Sequence, residues 1–220
     1  MAANMRFTRP DDATAPGFLV EANSTDNCAV VVIQEWWGIN QQMENVAQRL
    51  ADAGHSALVP DLYRGRLASD ADEAKHFMGD LDWPDATHQD LAGAVNYLAR
   101  THDRVAVLGF CMGGALTIAG AVRIDGLAGA VCFYGIPPAE LADPAKIRCP
   151  ILAHFATQDD WCTPDAVAAL EAAWVSAGVN YELHRYEAQH AFFNEARPEV
   201  FDANASELAW GRSREFLSRL

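Results

Sequence analysis

Residues 105–116, Val-Ala-Val-Leu-Gly-Phe-Cys-Met-Gly-Gly-Ala-Leu, run from an apolar β-branched segment into two glycines and straight on into a helical pattern. The passage Gly109-Phe110-Cys111-Met112-Gly113-Gly114 is G-x-S-x-G with cysteine in the serine position. So tight a strand-to-helix turn holds its central residue in strained backbone space. Gly109 and Gly113 carry no Cβ that would strike it or the neighbouring strand and helix. Such a turn sets the Cys111 sulfur above a sheet edge at a helix N-terminus, where unpaired N–H groups and the helix dipole favour a thiolate. A buried core cysteine beside a glycine-rich helix start is the plainer alternative. With strand, turn and helix in register, the spacing favours a nucleophile. The other cysteines, at 28, 132, 149 and 162, read as structural.

Strand and helix signals alternate along the rest of the chain. Strands are expected at 29–34, 55–59, 104–108, 127–134, 151–155 and 181–186. Helices are expected at 41–53 with Asn40 as cap and Gly54 as stop, at about 69–79, 84–100, 112–123 and 163–177, and at 204–217. This alternation predicts an α/β fold, a mostly parallel sheet with helices on both faces in a three-layer sandwich. At 220 residues, without internal repeat or long linker, residues 1–220 read as one domain. Ligands of such sheets bind where loops leave the carboxyl ends of the strands.

Thirty acidic against sixteen basic residues give a net charge of −14, a field that repels polyphosphate and argues against nucleic acid and anionic membranes as partners. No apolar run approaches the span of a bilayer, and the opening MAANMRFTRPDD lacks the apolar segment of a signal peptide. An odd cysteine count without CxxC predicts free thiols and a cytoplasmic protein. No His/Cys/Asp spacing marks a metal site, and no glycine-rich phosphate loop marks a nucleotide, so no cofactor is expected.

The turn at Cys111 follows the α/β-hydrolase pattern, in which an acid and then a histidine follow the nucleophile. The strand at 151–155 leads into a loop offering Asp159 and Asp160, and the strand at 181–186 into a loop offering His190. One aspartate would orient His190, with Asp159 favoured. His154 and His184 lie within strands, where packing roles are expected. The N–H of Met112 and one near the first strand end, naturally Trp36, would form an oxyanion hole. Glu35 is an acid at the end of an apolar strand, and Trp37 with Trp36 would wall a pocket for a flat substrate.

Five motifs in order resemble the dienelactone hydrolase (carboxymethylenebutenolidase) family: Gln34-Glu35-Trp36-Trp37-Gly38, Pro60-Asp61-Leu62-Tyr63, the cysteine turn, the His154-to-Asp loop, and His190-Ala-Phe-Phe-Asn-Glu-Ala-Arg-Pro198. Trp210 in the terminal helix fits as well, so the similarity spans about residue 15 to the end. The resemblance implies an α/β-hydrolase fold and a Cys111–His190–Asp159 triad. It assigns Glu35 to contact the nucleophile and control thiol ionisation. Counting from Pro150 and His154 selects Asp159, whereas counting back from Pro164 selects Asp160. Archetypal members hold the substrate carboxylate with two arginines. Arg64 and Arg66, after Tyr63, stand near the first position, but the second, four residues past the histidine, is Asn194.

The expected activity is hydrolysis of an enol-lactone or ester through a thiol ester, with a small molecule as partner and a monomer or small homo-oligomer as assembly. A broader small-ester or thioester hydrolase is the second reading. A non-catalytic ligand binder or redox thiol on the same scaffold is the third.

Overall fold

The computed structural model describes residues 3–23 and 28–220. Eight strands form one sheet in the order β1-β2-β4-β3-β5-β6-β7-β8. The strands are β1 (Met5–Thr8), β2 (Thr14–Val20), β3 (Ala29–Ile33), β4 (Ala57–Pro60), β5 (Val105–Phe110), β6 (Gly129–Phe133), β7 (Ile151–Gln158) and β8 (Tyr181–Gln189). From β4 to β8 the pairing is parallel, as the alternation predicts. β1 and β2 form an antiparallel hairpin added to the edge of β4, two strands that the sequence reading does not contain. They meet in a turn where Arg9 N–H donates to Ala13 O and Asp12 takes φ 65°. Pro16 and Gly17 blur the apolar rhythm of β2, and Pro16 lies just before the residues, Gly17–Val20, that pair with β4.

The helices are α1 (Gln41–Asp52), α2 (Ala71–Asp80), α3 (Trp83–Asp85), α4 (Ala92–Leu98), α5 (Met112–Arg123), α6 (Pro164–Ala177) and α7 (Ala203–Arg219), with a π-helical turn, Ala86–Leu91, joining α3 to α4. Asn40 caps α1 by accepting from Met43 N, as expected. Side-chain alternation divides the sheet between two cores. Val31, Ile33, Val105 and Val107 face Phe77, Leu98, Leu116 and Trp174, whereas Val30, Val32, Ala106 and Leu108 face Met43, Leu50, Trp210 and Phe216. Helices therefore cover both faces, and the parallel strands all point their carboxyl ends at one rim. Among the described residues no helix is long and apolar enough to cross a membrane.

Candidate active site

β5 and α5 meet at Cys111, which adopts φ 54° and ψ −115°. A non-glycine residue there is strained by about 1–3 kcal/mol and needs surroundings that hold it. Its N–H donates to Phe133 O, and its carbonyl accepts from Ala115 N, both at 3.0 Å. The glycines around it are dictated by contact rather than by flexibility. A Cβ at Gly109 would overlap the Gly113 carbonyl, and one at Gly113 would overlap the Ile33 carbonyl at the end of β3.

Asp159 follows β7, and its Oδ1 accepts from the N–H groups of Trp161 (2.7 Å) and Cys162 (2.8 Å). Its Oδ2 lies 2.8 Å from His190 Nδ1, in the loop after β8. His190 Nε2 lies 3.2 Å from Cys111 Sγ. Since the carboxylate accepts at Nδ1, that nitrogen carries the proton and Nε2 is free to accept from the thiol. Asp160 is exposed while Asp159 is buried, so the structure brings Asp159 to the histidine. Burial acts to raise the Asp159 carboxyl, but the His190 hydrogen bond and charge, with the two loop N–H groups, bring it below the usual range.

The thiol of Cys111 departs from the expectation set by its helix N-terminus. Burial, and next the charge of Glu35, push it well up, while the Met112 N–H pulls down by less. In the resting arrangement desolvation outweighs the helix terminus.

Glu35, at the end of β3, is 3% exposed. Tyr134 O–H donates to its Oε1 at 3.3 Å and Asn194 Nδ2 to its Oε2 at 2.6 Å. Burial raises its carboxyl, against the pull of Asn194, His190, Tyr134 and Arg197. Asn194, read from sequence as a lost arginine clamp, thus serves Glu35 instead.

A cleft of about 370 Å³ opens over Cys111 and His190, with Glu35, Trp36, Trp37 and Met112 in its lining. Arg64 and Arg66 lie outside the lining of this cleft. Arg64 places one guanidinium nitrogen 2.9 Å from both oxygens of the buried Asp90, and Arg66 lies 4.3 Å over the Phe77 ring. Both line a separate cavity with Asp80, Asp82 and Asp85. The nearly inaccessible Asp90 carboxylate needs a cationic partner and captures Arg64. Tyr63, a substrate-contact candidate from its motif, is 1% exposed and donates its hydroxyl to Met112 Sδ at 3.3 Å.

Several cleft residues escaped the sequence reading. Arg197 is the cleft's guanidinium among the described lining residues, and its charge acts on both Glu35 and Cys111. It stands inside the His190–Pro198 motif, where its charge was the available signal. Tyr134 packs edge-on against His190 at 5.1 Å, and Trp83 and Trp161 complete an aromatic wall. Cys162 also faces this space, and one ligand atom each from Asp159, Cys162 and His190 lie within 4.8 Å of one another.

The profile of the dienelactone hydrolase family matches residues 16–220. Carboxymethylenebutenolidase 1 of Cupriavidus pinatubonensis is 32% identical over 213 residues, covering 90% of this chain and 88% of its own. Protein usf of Aquifex pyrophilus is 31% identical over 198 residues, covering 85% and 86%. A solved structure from Klebsiella pneumoniae superposes with a TM-score of 0.88, at 23% identity and with 98% of each chain covered.

Proposed function

The chain belongs to the dienelactone hydrolase family, and from that membership we propose that it opens a small lactone or ester through a Cys111–His190–Asp159 triad. The observation that carries this reading is the unbroken hydrogen-bond chain from Asp159 Oδ2 through His190 to Cys111 Sγ at the floor of the cleft.

His190 Nε2 takes the thiol proton as sulfur attacks the substrate carbonyl carbon. Asp159 holds the imidazolium that forms. The N–H groups of Met112 and Trp36 receive the developing oxyanion, a contribution of roughly 3–4 kcal/mol per donor in comparable sites. Collapse expels the alkoxide or enolate, which takes the proton from His190. His190 then deprotonates a water that attacks the thiol ester, and as the acid leaves His190 returns that proton to sulfur. The high resting position of the Cys111 thiol keeps it protonated until substrate enters, with the Glu35 charge as part of the cause. A protonated sulfur resists oxidation between turnovers.

Arg64 is held by Asp90, and position 194 is asparagine, so the two-arginine clamp is absent from the cleft. This favours, as second reading, a broader hydrolase of small aryl or enol esters set against the tryptophan wall. A panel of carboxylate-bearing lactones and neutral aryl esters separates the two. Free thiols at all five cysteines suit the reducing cytoplasm. Cys111→Ala is expected to abolish hydrolysis of both substrate classes. Retained turnover overturns the triad.

A further inference from the structure

Cys162 has no part in the hydrolytic cycle, yet it places a second thiol beside the acid–base pair. It is 5% exposed, on the loop that also carries Asp159, and its Sγ now donates to Tyr134 O at 3.3 Å. Its sulfur, an Asp159 oxygen and a His190 ring nitrogen lie within 4.8 Å of one another. One soft, one borderline and one hard donor converging from two loops form a set that zinc-like ions accept. Tetrahedral coordination, with bonds of about 2.0–2.3 Å, places ligand atoms roughly 3.5 Å apart, so the His190 Nδ1 and Asp159 Oδ2 atoms, now 2.8 Å apart, must open slightly while the Cys162 sulfur turns in toward them. The outer support already exists. Asp159 Oδ1 is fixed by the N–H groups of Trp161 and Cys162, leaving Oδ2 to turn to a cation.

We infer that Asp159, Cys162 and His190 form an inhibitory site for a thiophilic divalent cation of the Zn²⁺ or Cd²⁺ type, with the fourth position open to water from the cleft. On binding, the Cys162 thiol releases its proton to solvent and the sulfur bonds the metal. Nδ1 of His190 exchanges its proton for the cation, and Nε2 takes up a proton. The bond Nδ1–H···Asp159 is lost, and both of its atoms become ligands. The ring then presents N–H, in place of a lone pair, to Cys111 Sγ, so it cannot accept the thiol proton. The inhibitory consequence rests on the triad reading. The binding site itself does not.

Cd²⁺ provides a test, because cadmium–thiolate bonds absorb in the near ultraviolet, independently of turnover. Titration of the full chain and of Cys162→Ser and Cys111→Ser variants, with equilibrium dialysis alongside, reads the site. Cys162→Ser is expected to weaken binding by on the order of 100-fold and to remove the thiolate band, whereas Cys111→Ser keeps both. Inhibition of each active variant is scored against its own metal-free rate, and Cys162→Ser is expected to lose most of its sensitivity. A band that survives in Cys162→Ser and vanishes in Cys111→Ser overturns the site, because the cation then sits on the nucleophile. Absence of any band in the unmodified chain overturns it too. Binding through Cys162 in an enzyme that works without Cys111 sinks the triad and leaves the site standing.

Discussion

Asn194 donates its side-chain amide to Glu35 Oε2 at 2.6 Å, tying the loop after β8 to the end of β3 beneath the cleft. Both residues are buried, so this bond is shielded from water and its partner has no ready substitute. Replacing Asn194 by Ala leaves a buried carboxyl oxygen without its shortest donor. The expected cost is about 1–3 kcal/mol in urea denaturation. A wild-type midpoint in the variant would show that Glu35 is held by Tyr134 alone.

Arg197 lines the cleft and Arg64 does not. Arg197→Met is therefore expected to lower kcat/KM for carboxylate-bearing esters about tenfold relative to neutral ones, the equivalent of one charge-assisted hydrogen bond. Arg64→Met is expected to leave that ratio alone and to destabilise the fold by about 1 kcal/mol, since Asp90 keeps its bond to Arg9. The reverse pattern in steady-state kinetics would restore Arg64 to the substrate.

Gly113→Ala forces a methyl group against the carbonyls of Ile33 and Gln34, backbone atoms that no side-chain rotation can move. We expect a loss of at least about 2 kcal/mol and a displaced turn. Thermal melting checks the first, and alkylation kinetics at Cys111 check the second.

His154 is fully buried, between Tyr186 O–H at 2.8 Å and Ser213 Oγ at 3.0 Å. Burial, then the charges of His184 and Arg212, set its pKa well below the ordinary 6.5. The unfolded chain therefore binds one more proton below that value, and stability falls as pH drops through it, by up to about 1.4 kcal/mol per unit. Above pH 6.5 this contribution is fully present. His154→Gln should be less stable at pH 8 and lose less between pH 7 and 5. Parallel curves of denaturation midpoint against pH for the two proteins would refute the buried neutral imidazole.

Much of the scaffold was legible because its signals are local. The apolar run at 29–33 is too short for a helix, Asn40 precedes a periodic segment, and Gly-x-Cys-x-Gly-Gly admits few backbones. The loops carrying Asp159 and His190 follow from strand order, and the structure joins their side chains. The remainder depends on pairings between distant segments. Asp90 takes Arg64 from across 26 residues, and Glu35 meets Tyr134 and Asn194 from 99 and 159 residues away. Nothing in the local pattern at residue 64 marks that carboxylate, so the expected substrate role of the arginines after Tyr63 rests on the family resemblance alone. β1 is only four residues long and β2 is interrupted by Pro16 and Gly17, and the pairing of β1 with β2 and of β2 with β4 is written in the tertiary arrangement alone.

The bend at residue 111 owes its shape to main-chain packing around Gly109, Gly113 and Gly135, and to bonds from its own N–H and C=O. The side chain takes no part in holding it. The same mount would therefore present a hydroxyl where it now presents sulfur. Exchange between thiol and alcohol chemistry on this frame asks for one atom and no rebuilding of the backbone.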